Sequence, residues 1–89
     1  MERKCSSLKP NEQVVFQRFS DLYGKKIPWD GTVSSVDPGR KAVWVSWLEG
    51  YKDRKDLVPY EDMLAVYDPE GEHMHFGNVS GKSAVLTNA

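Results

Sequence analysis

One cysteine, two histidines and no long apolar run are what this 89-residue chain has to offer, and each shortage removes a class of protein. Cys5 lies in the polar stretch Arg3-Lys4-Cys5-Ser6-Ser7 and has no second thiol to pair with, which excludes a disulfide-stapled scaffold and suits a reducing compartment. Both imidazoles fall in Glu70-Gly71-Glu72-His73-Met74-His75, far in sequence from Cys5 and from Ser34, Ser35 and Ser46. A nucleophile needs a base and an orienting group, so no catalytic residues and no enzymatic role are expected. No stretch approaches the ~20 apolar residues of a membrane span, and Met1-Glu2-Arg3-Lys4 leads into no apolar signal core. The expected setting is cytoplasmic, with no membrane partner. An excess of one charge is also missing: 12 Lys and Arg stand against 13 Asp and Glu, a formal charge of −1 and a pI near 6.1. That balance argues against a protein whose main partner is a polyphosphate. The charge is uneven, however, at +3 over residues 1–28, −2 over 29–67 and −2 over 68–89.

What the chain does have is aromatics, with three Trp, four Tyr and three Phe, set in short alternating segments. Residues 1–11 are polar and aperiodic and read as a flexible lead-in. Glu12 to Phe19 (EQVVFQRF) alternates and is rich in β-branched and aromatic residues, which predicts a first strand. After a polar loop from Ser20 to Pro28, Trp29 to Val36 (WDGTVSSV) predicts a second strand, with Gly31 marking a bulge or a close backbone approach. Asp37-Pro38-Gly39-Arg40 has a turn residue of each kind and should join that strand to Lys41–Trp47 (KAVWVSW), the strongest strand in the chain. Period two puts Val43, Val45 and Trp47 on one face, and with the valines inward Trp44 points outward. Leu48 to Lys55 is a charged connection, Asp56 to Pro59 a short fourth strand, Pro59 to Asp62 one helical turn, and Met63 to Tyr67 a fifth strand. Residues 68–89 are rich in Gly, Ser and Asn and read as a mobile tail or an added edge strand.

Five short strands in about 55 residues describe an all-β fold: a five-stranded antiparallel SH3-like barrel, with one short helical turn and a loosely ordered C-terminal tail. The succession Trp29-Asp30-Gly31-Thr32-Val33, Ala42-Val43-Trp44-Val45-Ser46-Trp47, Leu57-Val58-Pro59-Tyr60-Glu61-Asp62-Met63-Leu64 resembles a Tudor domain over residues 12–67. It departs from that family in a long loop after the first strand and in Leu48-Glu49-Gly50-Tyr51-Lys52-Asp53, where the family has a different turn. The resemblance implies a non-catalytic module that recognises a protein or peptide partner through an aromatic cage. Matched by position, Trp29, Trp47, Tyr51 and Tyr23 would be its walls and Asp53 the polar residue beside them. Ring faces attract a cation that methylation has made poor at hydrogen bonding. The competing reading is that Trp29 and Trp47 plug the core of a small barrel and that the two tyrosines are ordinary loop residues.

Other readings rest on other residues. An outward Trp44 marks a partner surface or a homo-oligomer interface, unless the lead-in or the tail folds over it. A self-associating accessory protein of bacterial or phage type is one alternative. A weak nucleic-acid-binding barrel is another, with Lys25, Lys26, Lys52, Arg54 and Lys55 as its basic residues, opposed by Asp21, Asp30, Glu49, Asp53 and Asp56 close by. The two histidines and two carboxylates at 70–75 offer a single His-x-His pair without a third fixed ligand, so no metal is assigned. Gly77 to Ser83 ends in Gly-Lys-Ser but lacks the glycine spacing of a phosphate-binding loop, and no cofactor is expected.

Overall fold

In a computed structural model the described residues are 2–67 and 83–89. They form seven strands: β1 Glu2–Lys4, β2 Gln13–Ser20, β3 Lys25–Asp37, β4 Ala42–Glu49, β5 Lys52–Pro59, β6 Met63–Tyr67 and β7 Ser83–Thr87. Two single 3-10 turns, Cys5–Ser7 and Tyr60–Asp62, complete the elements, the second lying where the sequence predicts a helical turn. The strands make one sheet in the order β1-β7-β6-β2-β3-β4-β5, antiparallel except for β1 against β7. All-β is therefore right. The count is seven rather than five, and the sheet does not close on itself by backbone pairing among the described residues.

The additional strands correct the reading of the chain's ends. Residues 2–11 are no loose lead-in. Glu2 to Lys4 pairs with Val85 to Thr87, the Arg3 guanidinium donates to Glu12 Oε1 at 2.8 Å, and Cys5 and Leu8 are buried in the core. Composition hid this, because two apolar side chains in an otherwise polar segment give no period to read. At the other end, Ala84-Val85-Leu86 does form a strand, with Ala84 and Leu86 buried, but it lies between β1 and β6 rather than at an edge. The acid and histidine cluster at 70–75 and most of the glycine-rich segment at 77–83 lie outside the described residues.

Hairpins determine the middle of the molecule. Gly24 (φ +68°) ends the β2–β3 turn and Gly50 (φ +67°) opens the β4–β5 turn, both in the left-handed region that glycine enters without cost. These turns are tighter than composition suggests, so β3 starts at Lys25 and β5 at Lys52, and the two expected long connections are mostly strand. Asp37 caps its turn as expected: Arg40 N–H donates to the Asp37 carbonyl (3.1 Å) and to its Oδ1 (3.2 Å). The positive φ there falls on Lys41 rather than Gly39.

The inner face carries Val14 and Phe16 of β2, Val33 of β3, Val43, Val45 and Trp47 of β4, Val58 of β5, Met63 and Val66 of β6, with Cys5 beneath. Each fully buried large side chain contributes roughly 1.5–3 kcal/mol. β3 is long enough to pair with β2 along its first half and β4 along its second, with a bulge between Val33 and Ser35. Gly31 stands just before that bend. A Cβ built there would lie 2.4 Å from Val45 Cγ1 and 3.0 Å from both Phe16 Cε1 and the Ser46 carbonyl. The close approach expected of Gly31 is thus real, and it lets the core and the adjoining strand meet. Gly31→Ala should destabilise the protein by about 1–3 kcal/mol through overpacking. Urea unfolding measures it, and an unchanged midpoint would mean the core yields at Val45 without strain.

Candidate functional site

The sheet curls far enough that β2 and β5, three places apart in the strand order, touch through side chains: Arg18 Nη1 lies 2.8 Å from Asp56 Oδ2. Alternation explains the meeting. Arg18 follows Val14 and Phe16 on the inner face, and Asp56 precedes Val58 on the same face of β5. Between them lies Trp47, only 5% exposed, whose indole N–H donates to Asp56 Oδ2 at 2.7 Å. Phe16 meets it edge to face (5.7 Å, 76°) and Trp29 packs tilted against it (5.0 Å, 56°). The guanidinium carbons of Arg18 and Arg54 lie 5.2 and 5.8 Å from its ring centroid.

Beside this cluster opens a concavity of about 710 Å³, whose lining includes Trp29, Trp47, Asp30, Asp53, Leu48 and Lys55. Trp29 is half-buried, and its indole N–H is enclosed with no acceptor among the described residues. A buried donor left unpaired costs about 1–3 kcal/mol. Of the residues expected to form a cage, the structure brings Trp29, Trp47 and Asp53 to this groove. Tyr23 and Tyr51 are not in its lining. They stand exposed at the tips of the β2–β3 and β4–β5 turns. Trp47 is simultaneously a core residue and a groove wall, and the cations over its ring come from the chain itself.

The remaining expected residues are dispersed. Trp44 is half-buried on the opposite face of β4, with Ser35 and Leu57 as cross-strand neighbours. Of the five basic candidates, Lys26 Nζ pairs with Asp62 Oδ1 at 2.7 Å and Arg54 Nη1 with Glu49 Oε1 at 2.8 Å, while Lys25, Lys52 and Lys55 are exposed. Arg18 and Asp56, which hold Trp47 beside the groove, are the residues that the sequence reading did not bring to the site. The signal was present, since a β4–β5 turn at Gly50-Tyr51 sets Trp47 opposite Arg54 and puts 54 and 56 on the tryptophan's face.

The electrostatics follow this geometry. Burial works to raise the Asp56 carboxyl, but the Trp47 N–H and the charges of Arg18 and Arg54 outweigh it and hold the group below the usual aspartate range. Glu12 behaves alike: burial opposes, and the hydrogen bond from Arg3 with the backbone N–H of Lys9 leaves it lowered. Burial pushes the Cys5 thiol up to about 11, and with its Sγ 3.9 Å from the Tyr60 carbonyl it is a poor nucleophile at neutral pH.

Comparison with family models, with curated proteins and with solved structures finds no match. No helix among the described residues is long and apolar enough to cross a membrane, and no group of three metal-ligating side chains is found among them.

A group whose folded pKa is depressed adds stability above its unfolded pKa and loses it as pH falls through the folded value. Wild-type unfolding free energy should therefore drop as pH falls below about 4. Asp56→Asn should be less stable at neutral pH, with its curve converging on wild type in acid. Urea melts across a pH series check this, and two parallel curves would show that Asp56 is not held by its partners.

Proposed function

We propose that the chain is a non-catalytic interaction module of Tudor-like type, which takes a segment of a protein partner in the groove beside Trp29 and Trp47. The observation that carries this reading is the groove itself: two tryptophans 5.0 Å apart beside the core, opening into about 710 Å³ with Asp30 and Asp53 in its lining. Recognition sites combine apolar and aromatic walls with a few polar groups in this way. The run β6-β2-β3-β4-β5, with a 3-10 turn between β5 and β6, also supports the SH3-like reading, because an arrangement of that kind presents its binding loops at the hairpin ends.

The module binds with less than a full cage. Trp47 gives its ring faces to Arg18, Arg54 and Trp29, so an incoming cationic side chain is received by Trp29 with Asp30 and Asp53. A single exposed cation–π contact contributes roughly 0.5–1 kcal/mol, which makes the interaction weak and rapidly reversible.

Amide chemical-shift titrations with a lysine-containing peptide, its trimethylated form and a short single-stranded oligonucleotide test the assignment. Shifts should concentrate on Gln13, Trp29, Thr32 and Asp53 with a peptide, and Trp29→Ala should weaken binding about two- to five-fold while the protein stays folded. Shifts confined to Lys25, Lys52 and Lys55 with the oligonucleotide, or a Trp29→Ala protein that binds unchanged, would overturn it.

A further inference from the structure

The sheet ends in β5, which pairs with β4 along one side. Its other side offers no backbone pairing among the described residues, and it is eight residues long and heavily charged: Lys52-Asp53-Arg54-Lys55-Asp56-Leu57-Val58-Pro59. Charges on an edge strand commonly repel a second strand. The order of these charges does the opposite at one register.

For two copies to join edge to edge antiparallel with their outer faces on the same side, opposed residues must share the same parity. Centring the two-fold axis on Arg54 sets Asp53 opposite the other copy's Lys55, Lys52 opposite its Asp56, and Tyr51 opposite its Leu57. By symmetry each pair occurs twice, so that Asp53 meets Lys55 at two places, Tyr51 meets Leu57 at two, and Lys52 lies opposite an Asp56 already held by Trp47 and Arg18 of its own chain. Moving the axis to Asp53 opposes Lys52 with Arg54 and Asp53 with itself. Moving it to Lys55 keeps only the Arg54–Asp56 match and opposes Lys55 with itself. At the favoured register the one like-charged position is Arg54, and that guanidinium is turned back into its own chain, 2.8 Å from Glu49 and over the Trp47 ring.

The apolar pair fits the same register. Tyr51 is fully exposed and Leu57 half-buried, and Leu57 is the cross-strand neighbour of Trp44 on the outer face. A tyrosine arriving opposite Leu57 would extend the outer-face row Trp44–Leu57 by one strand. Pro59, with no N–H, and Gly50, with φ +67°, limit the ladder at its two ends.

We propose that the chain forms a two-fold homodimer by antiparallel pairing of β5 with β5 of a second copy, centred on Arg54. The interface is isologous and joins two seven-stranded sheets through their β5 edges. It is independent of the Trp29 groove reading, because its readout is molecular mass.

A charge-swap experiment on the full chain tests it. Sedimentation equilibrium of wild type should show a reversible dimer. Asp53→Lys brings two cations face to face where positions 53 and 55 meet, and Lys55→Glu brings two anions together there. Each variant alone should therefore dimerise at least roughly ten-fold more weakly. Both positions are exposed, and unchanged circular dichroism and unfolding midpoints verify the fold. An equimolar mixture of the two variants restores every opposite pair and should form a heterodimer of near wild-type affinity. A wild type that stays monomeric, variants that dimerise as tightly as wild type, or a mixture that remains monomeric would each overturn the proposal.

Discussion

A short chain of contacts centred on Trp47 holds this molecule in its curled shape. Among the described residues the seven strands of the sheet have no backbone closure to fix their curvature, so side chains hold the curl. Trp47 on β4 donates to Asp56 on β5, and Asp56 in turn receives Arg18 from β2. Phe16 and Trp29 close the ring from β2 and β3. Four strands thereby meet at one indole. The ion pair is partly buried, where its attraction is screened less than on an open surface, and the indole hydrogen bond ends on a charged acceptor, the stronger kind. The groove beside it exists because the curl does: Trp29 and Trp47 belong to adjacent strands and would lie flat on an open sheet.

Gly31 is the steric counterpart of that electrostatic knot. The sheet bends beyond it, and the space where its side chain would be is occupied by Val45 and Phe16. The bulge after Val33 then turns the second half of β3 toward β4. One missing methyl group and one carboxylate thus govern how the two halves of the sheet approach each other.

Strand type was readable where alternation was unambiguous. Val43, Val45 and Trp47 on one face with Trp44 on the other follow from period two alone, and the Asp37 turn follows from its side-chain chemistry. Strand ends were less readable, because Lys25-Lys26-Ile27-Pro28 and Lys52-Asp53-Arg54-Lys55 are polar residues that hairpin geometry carries into the ladder. The burial of Cys5 and Leu8 was not legible at all, since it depends on β7 coming back from the far end of the chain to pair with β1. In the site, the residue types drew attention to both tryptophans and Asp53, but not to the partners that fill Trp47. Arg18 and Asp56 are 38 positions apart in sequence, and only the curl brings them together. Position matching placed Tyr23 and Tyr51 with the tryptophans, whereas tight glycine turns carry both out to hairpin tips.

The groove and the edge strand make different use of the same element. Asp53 and Lys55 of β5 belong to the groove's lining, and β5 is also the last strand of the sheet. A partner segment and a second copy therefore meet on one strand and share Asp53 and Lys55. The whole arrangement depends on Trp47 being tied to Asp56, and a double-mutant cycle measures that tie most directly. Trp47→Phe keeps the ring and removes the N–H, Asp56→Asn removes the charge, and the two combined report their coupling by urea unfolding. A coupling of about 0.5–3 kcal/mol is the expected result for residues in one hydrogen-bonded network. Effects that add to within about 0.3 kcal/mol would mean that the two residues act independently and that something else curls the sheet.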